Sequence, residues 1–315
     1  ILFVREQTLA LISLILLGVA TALTAEFPTF AGLLMTTFVG SLGFHYYETV
    51  NQSLQLQWLD RETAPKVLGW ILAAASASSL VAYAIIVGAW KAFDLSYSTV
   101  YAVGGAGTVA VALFAWIAFP RWQAPTPQSR SMVLKRRYWL YYALQFLGGA
   151  RRQIFVVFAA FMMVEKFGFE VHEVTALFLL NYAANMAFAP LIGRFIHRFG
   201  ERRALIVEYV GLTAVFALYA GIYLNDWPAW TAAALYVIDH LLFAMAFAQK
   251  TYFQKIADPE DHAPTAAVAF TINHIAAVFL PFSLGYLWLV SPPAVFGLAV
   301  AMAAGSLLLS FMVPR

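Results

Sequence analysis

Cysteine is absent from this chain of 315 residues, and only 11% of the residues are charged. The lack of cysteine excludes disulfide bonds, thiol catalysis and zinc sites that depend on cysteine ligands. The sequence also lacks the P-loop of ATPases, the HExxH motif of zinc proteases and the GxSxG motif of serine hydrolases. We therefore expect no catalytic residues, no cofactor, no metal site and no nucleic-acid partner.

Hydrophobic residues, by contrast, make up 62% of the chain, and the mean hydropathy is +0.76. A soluble domain cannot bury that much apolar surface, because its interior is too small. The chain is therefore predicted to be an all-α polytopic membrane protein, since backbone groups inside lipid must be bonded within each segment. About 20 apolar residues cross a bilayer. Ten runs are predicted to do so: residues 3–24, 30–54, 66–90, 97–119, 138–164, 173–196, 203–223, 229–254, 265–289 and 292–313.

The basic residues of the predicted loops are distributed unevenly. Lys91 and Lys166 fall on one side of the membrane, whereas all the other loop lysines and arginines fall on the opposite side. The positive-inside rule makes that opposite side cytoplasmic, and ten spans place both termini there. We expect a monomeric integral protein of a bacterial cytoplasmic (inner) membrane, in contact with lipid.

The longest polar break, PRWQAPTPQSRSMVLKRR at 120–137, divides the chain into two bundles. Its prolines and basic residues indicate a cytoplasmic linker. We predict a partial N-terminal bundle of four spans at 1–119 and a C-terminal bundle of six spans at 138–315. LDRETAPKVLGW (59–70) and IADPEDHAPTAA (256–267) occupy similar places in the two bundles. Tandem parallel halves of this kind are typical of transporters.

One loop carries a family resemblance. Gly193-x-x-x-His197-Arg198-x-Gly200-Glu201-Arg202-Arg203 resembles the Gly-x-x-x-Asp-Arg-x-Gly-Arg-Arg motif of the major facilitator superfamily (MFS). The resemblance implies an MFS-type fold, of which this chain would hold the third to the twelfth helix, truncated at the N-terminus. It also implies a conformational-switch role for five residues: Gly193, Arg198, Gly200, Arg202 and Arg203. His197 departs from the motif, and the family's signature of drug/proton antiporters is absent from the third span.

The resemblance also places the second, fifth and eighth spans around a central cavity, and these spans hold most of the ionisable groups inside the membrane. An ionised side chain at bilayer depth costs about 2.5–3.5 kcal/mol, so such groups should face protein or water. Candidate solute-binding residues are His45, Glu48, Gln145, Arg151, Arg152, Asn181, Asn185, Asp239 and His240. Glu48, Asp239 and His240 are the candidate proton carriers, because they can titrate near that cavity.

Arg151 and Arg152 cannot both face the cavity, because neighbours on a helix point about 100° apart. Arg152 shares a stripe with Gln145, Gly148 and Gly149, so we expect Arg152 to bind an anionic group and Arg151 to turn toward neighbouring helices. The alternative is a structural ion pair of these arginines with Glu48 or Asp239. For Asn181 and Asn185 the alternative is hydrogen bonding between helices.

The sequence therefore favours a secondary active transporter that moves a small, anionic solute by alternating access, with protons as candidate coupling ions. Two alternatives remain open. One is a scaffold or regulator that has the transporter fold but does not transport. The other is a membrane-embedded enzyme, supported only by His45-x-x-Glu48 and Asp239-His240 as a conceivable metal site.

Overall fold

The computed structural model describes residues 4–121, 126–130 and 134–314, and within these ranges it contains helices and no strand. The α-helices are α1 (Glu6–Leu23), α2 (Phe30–Trp58), α3 (Ala64–Phe93), α4 (Tyr97–Ala118), α5 (Trp139–Gln153), α6 (Ala160–Phe167), α7 (Val171–Phe199), α8 (Glu201–Asn225), α9 (Ala229–Phe243), α10 (Phe247–Ile256), α11 (His262–Val290) and α12 (Pro292–Ser310).

The predicted spans are confirmed as helical segments. In the described part of the chain, nine segments are long and apolar enough to cross a membrane. The predicted second span is not among the nine, although it forms the 29-residue helix α2. Its second half is rich in polar residues such as His45 and Glu48, which lowers its apolar character.

Two of the spans contain breaks in the regular α-helix. A π-helical stretch, Ile154–Ala159, joins α5 to α6, and it begins directly after Arg151, Arg152 and Gln153. A 3₁₀ turn, Ala244–Ala246, joins α9 to α10 a few residues after Asp239 and His240. Because π-bulges and 3₁₀ stretches inside helices are frequent at functional sites, the ionisable residues that precede the two breaks are candidates for a functional role.

Loop chemistry explains where several spans end. Gly168 ends α6 with φ of +68°, a left-handed conformation that a residue without Cβ adopts at little cost. Glu170 and Glu173 then form a capping box that starts α7.

The described residues form two compact units. The first contains residues from 1–58, 81–133 and 258–267, and the second contains residues from 59–80, 134–257 and 268–315. Helix α3 therefore contributes one half to each unit.

Close helix packing holds the first unit together. Gly18 of α1 lies against Gly105 of α4, and a Cβ on Gly18 would come within 2.7 Å of the Gly105 carbonyl oxygen. A Cβ on Gly43 of α2 would likewise lie 2.6 Å from the carbonyl oxygen of Ser13 on α1. Small residues allow membrane helices to approach at backbone distance. Gly105 therefore allows α4 to pack closely against α1, whereas Gly104 and Gly107 have open space around them.

The core of the second unit lies around α8, which packs against α9, α10 and α12. Tyr219 of α8 stacks on Phe296 of α12, with ring centroids 5.1 Å apart. Helix α12 consists of apolar and small residues with no titratable side chain. The buried charged side chains of this unit lie on α5, α8 and α9.

Candidate functional site

The two adjacent arginines of α5 have different surroundings. Arg151 is only 1% exposed, and its Nη2 lies 3.5 Å from Oε1 of Glu208, whose side chain is fully buried on α8. Arg152 is exposed, and no carboxylate among the described residues forms an ion pair with it. Arg151 thus turns toward neighbouring helices, and its salt-bridge partner is Glu208 rather than Glu48 or Asp239.

Glu208 is the residue that sequence reasoning missed. The available signal was a carboxyl group eight residues into an otherwise apolar span, where an isolated charge is costly. Arg151 also lies over the ring of Tyr209, with its Cζ 4.7 Å from the ring centroid. Such a cation–π contact stabilises a desolvated guanidinium.

Asp239 of α9 adds a second acid beside the same guanidinium. It is 1% exposed and interacts electrostatically with Arg151. Neither of its carboxylate oxygens has a hydrogen-bond partner among the described residues. Arg151, Glu208 and Asp239, hereafter the charge cluster, therefore combine two buried acids with one base.

Uncharged polar side chains extend from the charge cluster toward the surface of the unit. Gln249 of α10 donates from Nε2 to the Tyr209 hydroxyl at 3.0 Å. Gln145 of α5 donates in turn to Oε1 of Gln249 at 3.1 Å. Gln145 is half-buried and lies seven residues, about two helical turns, before Arg152, so the two share one face of α5.

The predicted stripe on α5 is only partly exposed. Gly148 and Gly149 are buried, unlike Arg152. Gly149 packs against Asn273 of α11, and a Cβ there would meet the Asn273 side chain at 2.9 Å. The glycines therefore allow α11 to approach α5 closely.

His240, Asn185 and Asn181 also lie inside the second unit. The Asn185 amide nitrogen lies 2.8 Å from Nε2 of His240, which joins α7 to α9. Asn181, one turn earlier on α7, is buried. Asn185 therefore bonds two helices together, and a direct solute contact for either asparagine stays a prediction.

His45 and Glu48 belong to the first unit and are half-buried on α2. Nδ1 of His45 lies 2.7 Å from the backbone carbonyl oxygen of Ser41, one turn earlier, and must donate to it. Among the described residues, no group of three or more His, Asp or Glu side chains could hold a metal ion.

The loop motif packs against the beginning of α3. A Cβ on Gly193 would lie 2.5 Å from the Pro65 carbonyl oxygen and 3.3 Å from Cα of Gly69. His197 places Nδ1 2.8 Å from the backbone oxygen of Glu62, and because a carbonyl only accepts, the imidazole donates. A histidine can thus fill the motif's aspartate position by donating a hydrogen bond to the neighbouring helix start.

Gly200 connects α7 to α8 with φ of +83°, a conformation that favours glycine. The next residue, Glu201, pairs with Lys255 at 2.7 Å. Arg198 and Arg203 are exposed and Arg202 is half-buried. A switching role for these three arginines stays a prediction.

The two repeat-related segments of the sequence meet in the second unit. Gln254 donates to the backbone oxygen of Leu59 at 2.5 Å, and Arg61 donates to that of Ala257 at 3.3 Å. Arg137, at the end of the predicted linker, donates to the Ile256 carbonyl at 3.1 Å. Arg61 and Arg137 thus occupy carbonyls at the C-terminal end of α10, and Gln254 occupies one just after α2, where a helix leaves such groups unpaired.

At the C-terminal ends of α6 and α8, Lys166 pairs with Asp226 at 2.8 Å. The Lys166 ammonium holds the pKa of Asp226 below its ordinary value by hydrogen bonding and charge attraction. Any stability from this exposed pair is present above the ordinary pKa of aspartate and is lost as the pH falls through the lowered value.

Gly193→Val is expected to destabilise the protein by about 1–3 kcal/mol, because the new side chain would overlap the backbone of α3. Gly107→Val is the matched control, since open space surrounds Gly107. Thermal unfolding of the purified protein in detergent measures both. Equal unfolding temperatures for the two variants would contradict the close contact between α3 and α7.

Solved structures of transporters share this fold. FucP, a major facilitator superfamily transporter in its outward conformation, superposes with a TM-score of 0.76 at 10% identity, covering 100% of this chain and 84% of FucP. A structure of the E. coli fucose:proton symporter FucP gives 0.74 at 12% identity, covering 99% and 85%. The proton:xylose symporter XylE, bound to 6-bromo-6-deoxy-D-glucose, gives 0.76 at 12% identity, covering 98% and 80%.

No curated protein matches the sequence significantly. The family model described as Major Facilitator Superfamily matches residues 4–281, most of the chain. The helical membrane fold, the similar solved transporters and this match agree, and the chain belongs to the major facilitator superfamily of membrane transporters.

Proposed function

We propose that this protein is a secondary active transporter that moves a small anionic solute across the membrane by alternating access, coupled to protons. The observation that carries the proposal is the exposed guanidinium of Arg152 near the middle of the candidate span Arg136–Phe167. A guanidinium facing lipid at that depth would be costly. Water and an anionic solute are the surroundings that suit it.

Arg152 is better suited to this role than Arg151. The Arg151 guanidinium is occupied by Glu208 and Tyr209 and is shielded from solvent. No described carboxylate pairs with Arg152, and its planar fork can hold a carboxylate or phosphate of the solute through two parallel hydrogen bonds. Gln145 shares the same helix face and supplies a further polar group for the solute.

Proton coupling is supported by the composition of the charge cluster. With one guanidinium and two buried carboxyl groups, full ionisation would leave a net negative charge away from water, which is strongly unfavourable. One carboxyl group can avoid this by carrying a proton. Asp239 is the better carrier of the two, because Glu208 forms a salt bridge with Arg151 at 3.5 Å, whereas no described residue forms one with Asp239. The similarity of the fold to a fucose:proton symporter and a proton:xylose symporter supports the proposal.

The proposed orientation places the arginine-bearing end of α7 in the cytoplasm, together with both termini. Arg194 and Arg198 lie at that end, next to Lys66 at the start of α3. The proposed transporter consists of two helical bundles joined by the 120–137 linker, is monomeric and lies in a bacterial inner membrane. The positive-inside rule supports this orientation.

Arg152→Ala is expected to abolish solute binding, and Arg152→Lys to weaken it about tenfold, because lysine keeps the charge but loses the bidentate fork (roughly 1.4 kcal/mol). The measurement is thermal stabilisation of the purified protein by D-glucuronate, L-lactate and inorganic phosphate, with D-fucose and D-xylose as neutral comparisons.

Arg194→Ala is the matched control, since Arg194 is an exposed arginine at the helix end. It should respond like the native protein. If the Arg152→Ala protein were still stabilised to the native extent, Arg152 would not bind the solute. Stabilisation by the neutral sugars alone would contradict an anionic solute.

A further inference from the structure

The hydrogen bonds between Arg152's face and the charge cluster all run in one direction. Nε2 of Gln145 donates to Gln249, and Nε2 of Gln249 donates to the Tyr209 hydroxyl. The backbone oxygen of Gln145 is itself fixed by the Asn273 side chain at 3.2 Å. Gln145, Gln249 and Tyr209, hereafter the amide relay, thus join a half-exposed position to a fully buried one.

Tyr209 is the point at which the amide relay reaches the charges. Its hydroxyl accepts the bond from Gln249, while its ring lies under the Arg151 guanidinium. It also follows Glu208 directly in the sequence, so a shift of α8 at this point moves the carboxylate and the ring together. The position of Tyr209 therefore affects how strongly Arg151 stabilises the negative charge of Glu208 and of Asp239.

We propose that the amide relay links solute occupancy at the Arg152 face of α5 to the proton held by the charge cluster. This inference rests on the proposed function and adds coupling residues to it. A solute that accepts a hydrogen bond from Gln145 competes with Gln249 for the same amide group. Gln249 then releases or reorients its bond to Tyr209, and the surroundings of the two carboxyl groups change.

Other titratable groups near the charge cluster could also affect its proton affinity. Tyr219 of α8 and Tyr236 of α9 interact with Asp239, and Tyr182 of α7 interacts with Tyr236. His240 is bonded to Asn185. Helix α10 contributes the neutral Gln249 to the relay and also carries Lys250, Tyr252 and Lys255, whereas α12 has no titratable side chain. Arg151 is the cation that contacts Glu208 and interacts electrostatically with Asp239.

The test requires no knowledge of the solute, because its probe is the proton. Infrared titration of the purified full-length chain follows the band of protonated carboxyl groups, and Asp239→Asn and Glu208→Gln identify the part of the band that belongs to the cluster. Tyr209→Phe, which keeps the ring under Arg151, should move the midpoint of that band by about one pH unit, a tenfold change in proton affinity. Gln145→Leu should move it comparably, although Gln145 touches neither carboxyl group.

Two matched controls are available in the chain. Tyr223→Phe makes the same change on α8, where the hydroxyl has no hydrogen-bond partner among the described residues. Gln153→Leu makes the glutamine change on α5 outside the relay. Both should leave the midpoint at its native value.

The outcomes separate the relay from the proposed function. If the midpoint of the cluster's band stays at its native pH in Gln145→Leu, the relay is overturned and the proton site is left intact. A band that depends on neither Asp239 nor Glu208 would overturn both the proton site and the relay. Midpoints that move equally in Gln145→Leu and Gln153→Leu would also overturn the relay, since a general disturbance of α5 would then account for the shift.

Discussion

Arg151→Leu is expected to destabilise the protein by about 3–5 kcal/mol, the cost of removing one partner from a buried ion pair. The substitution removes the cation that contacts Glu208 and interacts with Asp239, and it removes the guanidinium from the Tyr209 ring. Thermal unfolding in detergent measures the effect. The effect should be large, because Arg151 is the largest fully buried side chain among the described residues of the second unit.

The neighbouring residue supplies the control for this prediction. Arg152→Leu makes the same change at an exposed position and should leave the unfolding temperature close to native. Arg151→Leu combined with Glu208→Leu should recover much of the lost stability, since matched apolar groups replace a buried pair at little cost. An Arg151→Leu protein as stable as Arg152→Leu would show that the ion pair is not a structural element.

Asp239→Asn is expected to abolish proton-driven accumulation of the solute while leaving exchange of solute across the membrane. Asparagine keeps the size of the side chain but cannot carry the proton that the charge cluster requires. With one proton moved per solute, a gradient of one pH unit supports about tenfold accumulation in the native protein. The variant should reach only equal concentrations on the two sides.

Reconstituted vesicles measure this difference, with the anion that stabilises the purified protein as the transported solute. Glu62→Gln is the control, because Glu62 is an exposed acid at the beginning of α3. Tenfold accumulation by Asp239→Asn would contradict the proton-carrier role, and loss of exchange as well would assign Asp239 to solute binding instead.

Hydropathy and spacing predict most of the architecture because lipid imposes strict limits on the backbone. Runs of about 20 apolar residues must be helical, and the structure confirms helices at each predicted span. The 100° angle between helix neighbours separates Arg151 from Arg152, and the structure places one inside and the other outside. The Gly193 motif was sufficient to suggest the family that the sequence model identifies.

The identity of Arg151's partner was not predictable in the same way. Glu208, Asp239 and Glu48 all lie in spans, and only the rotation and depth of each helix decide which acid meets the guanidinium. The π-helical stretch at Ile154–Ala159 was also unpredictable, because it contains neither proline nor glycine. Such breaks depend on how a helix packs against its neighbours, here α12 and α9.

Residues on α2 show a further reason why sequence patterns are incomplete. His45 and Glu48 fall on the polar stripe that suggested a solute or proton role, and both are half-buried in the first unit. Spacing identifies a shared face but does not identify what covers that face. Their roles stay predictions.

In the proposed transporter, Arg152 faces a water-filled passage that opens alternately to the two sides of the membrane. Since the chain has no cysteine, Arg152→Cys introduces a single thiol that a membrane-impermeant methanethiosulfonate can label in vesicles. Val210→Cys is the control, because Val210 is an exposed apolar residue on α8 that should face lipid. We expect labelling of Arg152→Cys from outside and from inside, with Val210→Cys labelled from neither side. Absence of labelling at position 152 from both sides, in a folded protein whose thiol reacts after denaturation, would contradict this placement of Arg152.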